Sequence, residues 1–247
     1  MSLFSTARLH CYNSIYYYWA EIRRLGESMA IQTVSASITQ AIYIDSRYLR
    51  AKRVVDILFI LLISPFVLLV CMAIALCIKL DSKGPVFFRQ KRIGRNGVEF
   101  SMLKFRSMYV NGDENVHRRR VEEMMRNGQK LGKTRNDSRV TRVGRFLRKT
   151  SLDEIPQFWN VLLGEMTLVG PRPPLTYEVA LYQKRDWLRL SGRPGLTGIW
   201  QIYGRSAVTF TEMVEMDIAY LQEQSLLKDI KLIFLTVPVM IIGKGAA

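Results

Sequence analysis

The longest apolar stretch of the chain predicts a helix that enters a membrane. Residues 57–78 form a run of 22 positions without a charged side chain. A straight helix of that length covers about 33 Å, which is enough to cross the hydrocarbon core of a bilayer. Elsewhere, shorter apolar runs are separated by charged and turn-forming residues. The pattern therefore predicts one membrane helix attached to a globular region.

Two details of this run favour a re-entrant helix over a simple span. Ser64 and Pro65 lie near its middle, where proline removes a backbone donor and clashes with the preceding turn. Both flanks are basic, with Arg47, Arg50, Lys52 and Arg53 before the run and Lys79, Lys83, Arg89, Lys91, Arg92 and Arg95 after it. Because cytoplasmic flanks carry the excess of Lys and Arg, we expect both ends on the cytoplasmic side. A single-pass helix with a tolerated proline is the alternative.

The sequence Lys52-Arg53-x-x-Asp56 begins the membrane segment. At this spacing Arg53 and Asp56 can pair across one helix face, which lowers the cost of a carboxylate near the lipid headgroups. The alternative is that Asp56 only caps the helix in the interface.

Two more segments are expected at the membrane surface. Residues 139–149 form a basic amphipathic helix, which would equally suit an exposed helix packed on a core, and residues 225–243 are apolar but interrupted by a proline.

The rest of the pattern predicts a mixed fold. Residues 86–88 and 99–105 have the composition of strands and flank a turn at 94–97, so we expect a hairpin. Residues 113–130 have the pattern of a charged helix. The predicted class is α/β: a small mixed cytosolic domain with amphipathic interfacial helices and one kinked re-entrant membrane helix.

The positive charge is concentrated in one part of the chain. The formal net charge is +15, and residues 79–150 hold 20 Lys and Arg against 7 Asp and Glu. This asymmetry predicts an anionic partner, which would be nucleic acid, a phospholipid surface or a phosphorylated substrate; a solvated basic face gives the same pattern. The three cysteines lack metal-ligand spacing and there are only two histidines. A disulfide framework and a histidine-dependent mechanism are therefore disfavoured.

Two adjacent carboxylates, Asp153 and Glu154, follow the arginine-rich segment. An Asp with the ordinary pKa of about 3.9 is ionised at pH 7 and can attack phosphorus without a general base. A neighbouring Mg²⁺ would screen its repulsion from a diphosphate. Ser151 and Glu154 also have the spacing of a capping box, and a capped helix N-terminus binds phosphate. The pair therefore predicts either a phosphate-handling site or a helix cap alone.

Two later loops present arginines on rigid frames. Pro171 and Pro173 flank Arg172, which could clamp a phosphate or stack on a base. Arg193 and Arg205 lie in similar loops shaped by glycine and proline. A plain loop role stays open for each of them.

Eight short motifs follow one another between residues 52 and 243. They are Lys52-Arg53-x-x-Asp56, Ser64-Pro65, Gly84-Pro85-Val86-Phe87, Lys104-Phe105-Arg106-Ser107-Met108, Leu147-Arg148-x-x-Ser151-Leu152-Asp153-Glu154, Asn160-Val161-Leu162-x-Gly164-Glu165-Met166, Val169-Gly170-Pro171-Arg172-Pro173 and Arg193-Pro194-Gly195-Leu196-Thr197-Gly198. In content and order they resemble the monotopic phosphoglycosyl transferases, the bacterial sugar transferases that initiate polysaccharide assembly. Each motif alone is weak evidence, but the ordered set is specific.

The resemblance implies transfer of a sugar phosphate from a UDP-sugar to a polyprenyl phosphate, with release of UMP. It implies that Asp153 is the nucleophile and that Asp153 and Glu154 lie at a Mg²⁺ ion. It also implies that the Ser-Pro pair kinks the membrane helix and that the Pro-Arg-Pro loop lies near the nucleotide. The substrate-binding candidates are Lys104, Arg106, Arg148, Pro171, Arg172, Pro173, Arg193, Gln201 and Arg205. The membrane-topology candidates are Lys52, Arg53, Asp56, Ser64 and Pro65.

We accordingly expect three parts: an N-terminal extension of unknown role (1–50), a re-entrant membrane helix (51–79) and a catalytic domain (80–247). Trp200-Gln201 resembles the branch of the family that uses hexoses. The expected activity is therefore undecaprenyl-phosphate hexose-1-phosphate transfer, as the initiating step of exopolysaccharide or other surface glycan synthesis.

The expected location is the bacterial inner membrane, with the catalytic domain on its cytoplasmic face. Anionic phospholipid is an expected partner, a homo-oligomer and downstream glycosyltransferases are candidate partners, and nucleic acid is not expected. Two alternatives are a non-catalytic membrane scaffold of a polysaccharide assembly complex and a membrane-anchored nucleic-acid-binding protein.

Overall fold

The computed structural model describes residues 44–110, 114–130, 137–204 and 207–242, together with Ile31 and Ile42. At 114–117, 237 and 240–242 only the backbone is described. Most of the predicted N-terminal extension and the candidate residue Arg205 therefore lie outside the described residues.

Within these residues, helices alternate with two short sheets. The helices are α1 (Ser46–Asp81), α2 (Glu114–Arg126), α3 (Arg142–Thr150), α4 (Gln157–Leu163), α5 (Thr176–Val179), α6 (Phe210–Gln222) and α7 (Leu226–Ile242). The strands are β1 (Phe87–Ile93), β2 (Glu99–Phe105), β3 (Thr167–Val169) and β4 (Gly195–Thr197). Short 3₁₀ turns occur at Arg95–Gly97, Leu152–Glu154 and Asp186–Ser191, and a π-helical turn at Trp200–Gly204. The mixed α/β class predicted from the sequence is confirmed.

The predicted hairpin is formed by β1 and β2. The two strands pair antiparallel, with Phe87 opposite Phe105 at one end and Ile93 opposite Glu99 at the other. β3 and β4 make a second, parallel pair. At three residues each, these strands are too short to show a period-two pattern, so the sequence did not predict them.

The predicted membrane helix is α1, a continuous helix of 36 residues that runs through Pro65. Proline has no N–H for the carbonyl of Leu61, and Ser64 Oγ donates to that carbonyl at 2.8 Å instead. Among the described residues α1 is the one helix long and apolar enough to cross a membrane, and 11% of its most apolar 18-residue window is buried. The kink and the re-entrant path stay predictions.

Both halves of α1 pack against the globular domain, while its middle is exposed. Ile60 belongs to the core cluster that contains Val161. Ile78 belongs to a second cluster with Phe105 and Leu147. The exposed apolar side chains between these contacts are Leu61, Leu62, Phe66, Leu68, Leu69, Met72 and Leu76. The helix is thus held to the same domain near both of its ends.

The first turns of α1 reach three other elements. Lys52 Nζ lies 2.6 Å from a carboxylate oxygen of Asp229 in α7. Arg53 donates to carbonyls at the C-terminal end of α4. Asp56 accepts a hydrogen bond from Thr167 Oγ1 in β3. The predicted pairing of Arg53 with Asp56 is therefore wrong, because each of the two side chains binds a different part of the globular domain.

The segments expected at the membrane surface are helical. α3 begins after Thr141, whose Oγ1 accepts from the backbone N–H of Gly144 at 2.9 Å. Its inner face buries Leu147, and on its outer face Phe146 is 58% exposed among basic residues. α7 runs through Pro238. The charged helix predicted at 113–130 is α2.

Candidate active site

Asp153 and Glu154 lie on a short turn that joins α3 to α4. Ser151 ends α3 in the left-handed conformation, with φ 58°, and residues 152–154 then form a 3₁₀ turn. The Ser151 side chain makes no capping hydrogen bond. The predicted capping box is therefore wrong, because Ser151 serves as the C-cap of α3 and not as the N-cap of the next helix. The turn contains no buried residue, so both carboxylates are accessible to a ligand.

Lys104 in β2 lies beside this turn. Its Nζ is 3.0 Å from Glu154 Oε1, and the two side chains are 20% and 38% exposed. An exposed pair of this kind contributes little to stability. The contact does place a cation next to the carboxylate pair, as a site that handles phosphate requires. The structure thus brings together Lys104, Asp153 and Glu154, which the sequence singled out separately.

Asn160 fixes α4 to the hairpin, a role that the sequence did not predict. Its Oδ1 accepts from the backbone N–H of Leu103 at 2.9 Å, and its Nδ2 donates to the carbonyl of Ser101 at 2.8 Å and to Glu165 at 2.7 Å. Asn160 is almost fully buried. A polar side chain among the apolar residues of α4 was the signal that could have revealed it, because buried amides are nearly always hydrogen-bonded.

Arg53 fixes the other end of α4. Its guanidinium donates to the carbonyls of Val161 and Leu162, the latter at 2.7 Å. The last carbonyls of a helix have no partner within the helix, and an arginine near them also suits the helix dipole. The membrane helix therefore holds the helix that follows the Asp153–Glu154 turn.

Arg106 and Arg148, both substrate-binding candidates, occupy different surroundings. Arg106 is 5% exposed and donates to the carbonyls of Lys83 and Ser82, so it holds the segment that follows α1. Arg148 is half-buried in the last turn of α3. Hydrogen bonds from Arg139, with a contribution from the charge of Arg148, lower the pKa of Asp137 to about 2. Substrate binding by Arg106 and Arg148 stays a prediction.

The two proline-bounded arginine loops meet backbone to backbone. The N–H of Gly195 donates to the carbonyl of Pro171 at 2.8 Å, and the N–H of Gly170 donates to that of Thr197 at 2.8 Å. A Cβ atom on Gly195 would lie 2.0 Å from the nitrogen of Gly170. Glycine is required there because the loops approach so closely. Arg193, in the second loop, lines a small cavity together with Lys52, Arg53 and Asp56 of α1.

Arg172 is paired within the protein. Its Nη1 lies 2.9 Å from Glu178 Oε2, and Glu178 Oε2 also accepts from the N–H of Leu175 at 2.9 Å. Burial would raise the pKa of Glu178, but the charges of Arg172 and Arg92 and these hydrogen bonds together lower it. The Arg172 side chain is 25% exposed, so part of it still faces solvent. Pro171 and Pro173 are buried and hold the loop in place.

Two further arginines support the same loop. Arg189 is fully buried, forms an ion pair with Asp217 and donates to the carbonyl of Arg172 at 3.0 Å. Arg92 in β1 donates to the carbonyl of Pro173 at 2.9 Å. Gln201 donates to the carbonyl of Leu196 at 3.2 Å. The sequence named Gln201 as a binding candidate and Arg92 only as part of a basic flank, and it gave no signal for Arg189.

The comparison with known families decides between an enzyme and the other classes. Residues 47–243 match the family described as bacterial sugar transferase. The chain belongs to the bacterial sugar transferase family. The matched range includes the turn with Asp153 and Glu154, the Pro-Arg-Pro loop and α1 from Arg47 onwards.

Three curated relatives illustrate the similarity of this sugar transferase to known proteins. It is 42% identical over 202 residues to the exopolysaccharide production protein ExoY of Rhizobium meliloti (strain 1021), a match that covers 79% of this chain and 88% of ExoY. It is 46% identical over 167 residues to the galactosyl transferase CpsE of Streptococcus agalactiae serotype III (strain NEM316), covering 66% of this chain and 36% of CpsE.

The third relative is the UDP-glucose:undecaprenyl-phosphate glucose-1-phosphate transferase of Escherichia coli (strain K12). The identity is 44% over 207 residues, which covers 79% of this chain and 41% of that protein. The sugar transferase thus spans most of ExoY but less than half of the other two relatives.

The donor set on the turn of the sugar transferase fits a magnesium ion. Asp153 and Glu154 supply hard oxygen ligands, and Mg²⁺ at phosphate-handling sites is usually held by one or two carboxylates together with substrate phosphates. In the part of the chain that the structure describes, no group of three or more His, Cys, Asp or Glu residues is arranged to hold a metal. Water molecules and substrate phosphate oxygens would complete the coordination of a magnesium ion held by this pair.

Proposed function

We propose that this sugar transferase moves a sugar-1-phosphate from a UDP-sugar to undecaprenyl phosphate and releases UMP. The reaction would be the initiating step of exopolysaccharide or other surface glycan synthesis. The observation that carries the proposal is the accessible Asp153–Glu154 turn, with Lys104 beside it, in a chain of the bacterial sugar transferase family. Relatives that are named for a UDP-sugar donor and for the undecaprenyl-phosphate carrier support the same reaction.

The sugar is a hexose in this proposal. Relatives of the chain include a galactosyl transferase, an undecaprenyl-phosphate galactose phosphotransferase and a transferase of glucose-1-phosphate. UDP-galactose and UDP-glucose are therefore the first two donors to test. Their relative rates would assign the sugar.

In the first step, a carboxylate oxygen of Asp153 attacks the β-phosphorus of the UDP-sugar. A bond forms between that oxygen and phosphorus, and the bond from phosphorus to the bridging oxygen of the diphosphate breaks. UMP leaves with the electron pair. The sugar phosphate is then bound covalently to Asp153. Lys104 and the exposed part of Arg172 would neutralise charge on the phosphate oxygens.

In the second step, a phosphate oxygen of undecaprenyl phosphate attacks the same phosphorus. The bond to Asp153 breaks, the carboxylate is restored and the lipid diphosphate sugar is released. Both reacting groups are anions, so the step needs cations nearby. Asp153 and Glu154 would hold Mg²⁺, whose chemistry when bound is to screen the charge of the phosphate oxygens.

The protein is associated with a membrane through α1, and we propose that α1 is re-entrant at the bacterial inner membrane. Both halves of α1 pack on one globular domain, and basic residues flank the apolar run on both sides. A helix that crossed the bilayer would carry one end away from that domain. Exposed apolar side chains on neighbouring helices, Phe146, Trp159, Leu163, Leu227 and Phe234, would meet the same membrane surface. The catalytic domain would then lie on the cytoplasmic face.

Labelling of single cysteines tests this topology. In a cysteine-free background, Arg47→Cys and Arg89→Cys stand on opposite sides of the apolar run, and both positions are exposed. We expect a membrane-impermeant thiol reagent to label both from the cytoplasm. Labelling of either one from the periplasm would refute the re-entrant path. Pro65→Ala should straighten the helix and move one end outward in part of the population.

The reaction itself is tested by UMP release from purified protein with UDP-galactose or UDP-glucose, polyprenyl phosphate and Mg²⁺. Mass spectrometry of protein mixed with donor alone should find a hexose-phosphate adduct on the peptide that contains Asp153. Absence of UMP release with every UDP-sugar would favour a non-catalytic scaffold. Kinetics that need both substrates bound before UMP departs would exclude the covalent route. A homo-oligomer and contacts with downstream glycosyltransferases stay predictions.

A further inference from the structure

Arg92 is a buried cation that no carboxylate neutralises directly. It is 6% exposed in β1. Its guanidinium donates to Gln90 Oε1, at 2.7 and 3.2 Å, and to the carbonyl of Pro173 at 2.9 Å. Both acceptors are neutral. Among the described residues, no Asp or Glu forms an ion pair with Arg92.

Two carboxylates around the Pro-Arg-Pro loop each form an ion pair with another arginine, so neither is paired with Arg92. Arg172 is paired with Glu178, and Arg189 is paired with Asp217. Three guanidiniums around the Pro-Arg-Pro loop are therefore matched by two carboxylates. Burial, and then the charge of Arg172, lower the pKa of Arg92 to about 10. Of these three guanidiniums, Arg92 is the one that forms no ion pair with a carboxylate of the described residues.

A buried charge without a counterion is costly, and buried charges are usually paired with an opposite charge. Arg92 contacts the Pro-Arg-Pro loop through its hydrogen bond to the carbonyl of Pro173, and the charges of Glu178 and, to a smaller extent, Glu154 also act on it. The side chain of Arg172, in the same loop, is 25% exposed, so this cluster of arginines reaches the solvent. A further guanidinium, that of Arg118, stands 5.8 Å from the centre of the ring of Tyr177, which precedes Glu178 in the chain.

We propose that Arg92 and Arg172 form the site for a phosphate of the nucleotide half of the donor, so that the substrate supplies the missing negative charge. The inference rests on the proposed function and adds a residue to its donor site. Arg92 would bind the phosphate directly or through its hold on Pro173. Either way, removing its charge weakens the binding of a free nucleotide.

The register of the hairpin favours the nucleotide over the lipid phosphate. Phe105 packs with Ile78, near the C-terminal end of the membrane helix, and Phe105 pairs with Phe87 at one end of the hairpin. Arg92 is five residues further along β1, roughly 16 Å away along the strand. The site therefore lies at the end of the hairpin that is remote from the contact between Phe105 and α1. A water-soluble donor can enter there.

The test measures UMP binding to the full-length protein in nanodiscs by titration calorimetry. Arg92→Gln removes the buried charge, Arg92→Lys keeps the charge but loses the planar fork, and Arg89→Gln removes an exposed charge from the same strand. We expect Arg92→Gln to weaken UMP binding by roughly tenfold or more, as for the loss of a charged hydrogen bond. Arg92→Lys should lose less, and Arg89→Gln should remain within about twofold of the wild type.

Thermal unfolding without ligand separates a binding role from a purely structural one. If Arg92→Gln does not fold, the comparison of Arg92→Lys with the wild type and Arg89→Gln decides, and equal UMP affinity of all three refutes the proposal. A parallel titration with a short-chain polyprenyl phosphate identifies the source of the anion. Weakened lipid-phosphate binding with unchanged UMP binding would overturn the nucleotide assignment.

These outcomes also separate the inference from the proposed function. UMP binding that depends on Arg92, in a protein that releases no UMP from any donor, would support the site and refute the reaction. Normal UMP release, together with equal UMP affinity in Arg92→Gln and Arg89→Gln, would support the reaction and refute the site. A wild-type protein that binds no UMP would refute the site.

Discussion

The Asp153–Glu154 turn and the Pro-Arg-Pro loop belong to one proposed site but are built in opposite ways. The turn has no buried residue, and its ion pair with Lys104 is open to solvent. The loop is largely buried, with guanidiniums held against Glu178 and Asp217. The difference teaches that the groups proposed to react lie on a turn without a buried residue, while Arg172, which is proposed to bind, is fixed by an internal charge pair.

The largest expected effect comes from Asp153→Asn. The substitution removes the proposed nucleophile but keeps the shape of a partly exposed side chain. We expect UMP release to fall by roughly a thousandfold or more, with a thermal unfolding temperature close to that of the wild type. Assays of turnover and unfolding on the same preparation check this. Robust turnover by the variant would mean that Asp153 forms no covalent intermediate.

Asp217→Asn should lower the stability of the fold, whereas Asp153→Asn should lower turnover alone. It leaves the fully buried Arg189 without its carboxylate, and loss of one partner of a buried pair costs about 3–5 kcal/mol of unfolding free energy. Denaturant unfolding measures the change. The matched control is Glu223→Gln, which breaks the pair with Lys228, where the two side chains are 74% and 26% exposed. We expect that control to cost less than about 1 kcal/mol. Equal losses would show that burial does not make the Arg189–Asp217 pair more important for stability than an exposed pair.

Arg172→Ala probes the loop where it meets solvent. The variant should raise the KM for the UDP-sugar by roughly tenfold to a hundredfold, because a charged contact to phosphate is lost. The control is Arg119→Ala in the charged helix α2, where the side chain is exposed. The kinetic constants of both variants are compared at equal ionic strength. Similar effects would indicate that Arg172 acts only through the general positive field.

Local sequence patterns predicted the elements that depend on neighbours in the chain. The apolar run predicted α1, and the alternation around a glycine-rich turn predicted the β1–β2 hairpin. The Asp-Glu pair and the Pro-Arg-Pro loop were found as motifs. Each of these signals needs only a few consecutive residues, and each was visible without knowledge of the fold.

Long-range contacts account for what the sequence could not predict. Lys52 was expected to serve topology at a lipid surface, yet its partner Asp229 is 177 residues away. Ser151 was expected to begin a helix as its N-cap, but it ends α3 in the left-handed conformation instead. The burial of Arg92 depends on the Pro-Arg-Pro loop, which is 81 residues further along the chain. Side chains whose role depends on such distant partners carry no local signature.

Asn160 is a buried residue of α4, the helix that follows the Asp153–Glu154 turn, and it binds that helix to β2. Its substitution should have the smallest effect of the four, but it tests directly whether the turn depends on buried residues. Asn160→Ala would leave the N–H of Leu103 and the carbonyl of Ser101 without their side-chain partner. We expect a loss of about 1–3 kcal/mol in unfolding free energy. Because α4 begins just after the turn, kcat should also fall about tenfold, while the KM for UDP-sugar changes little.

The control for this last prediction is Asn127→Ala, at an exposed position after α2, which should alter the unfolding free energy by no more than about 0.5 kcal/mol. Rates are normalised to folded protein, so that lost stability is not counted as lost catalysis. A less stable Asn160→Ala with a normal kcat would show that Asn160 holds the core together without positioning the turn. A lower kcat in the folded variant would instead show that the exposed carboxylates depend on this buried amide for their place.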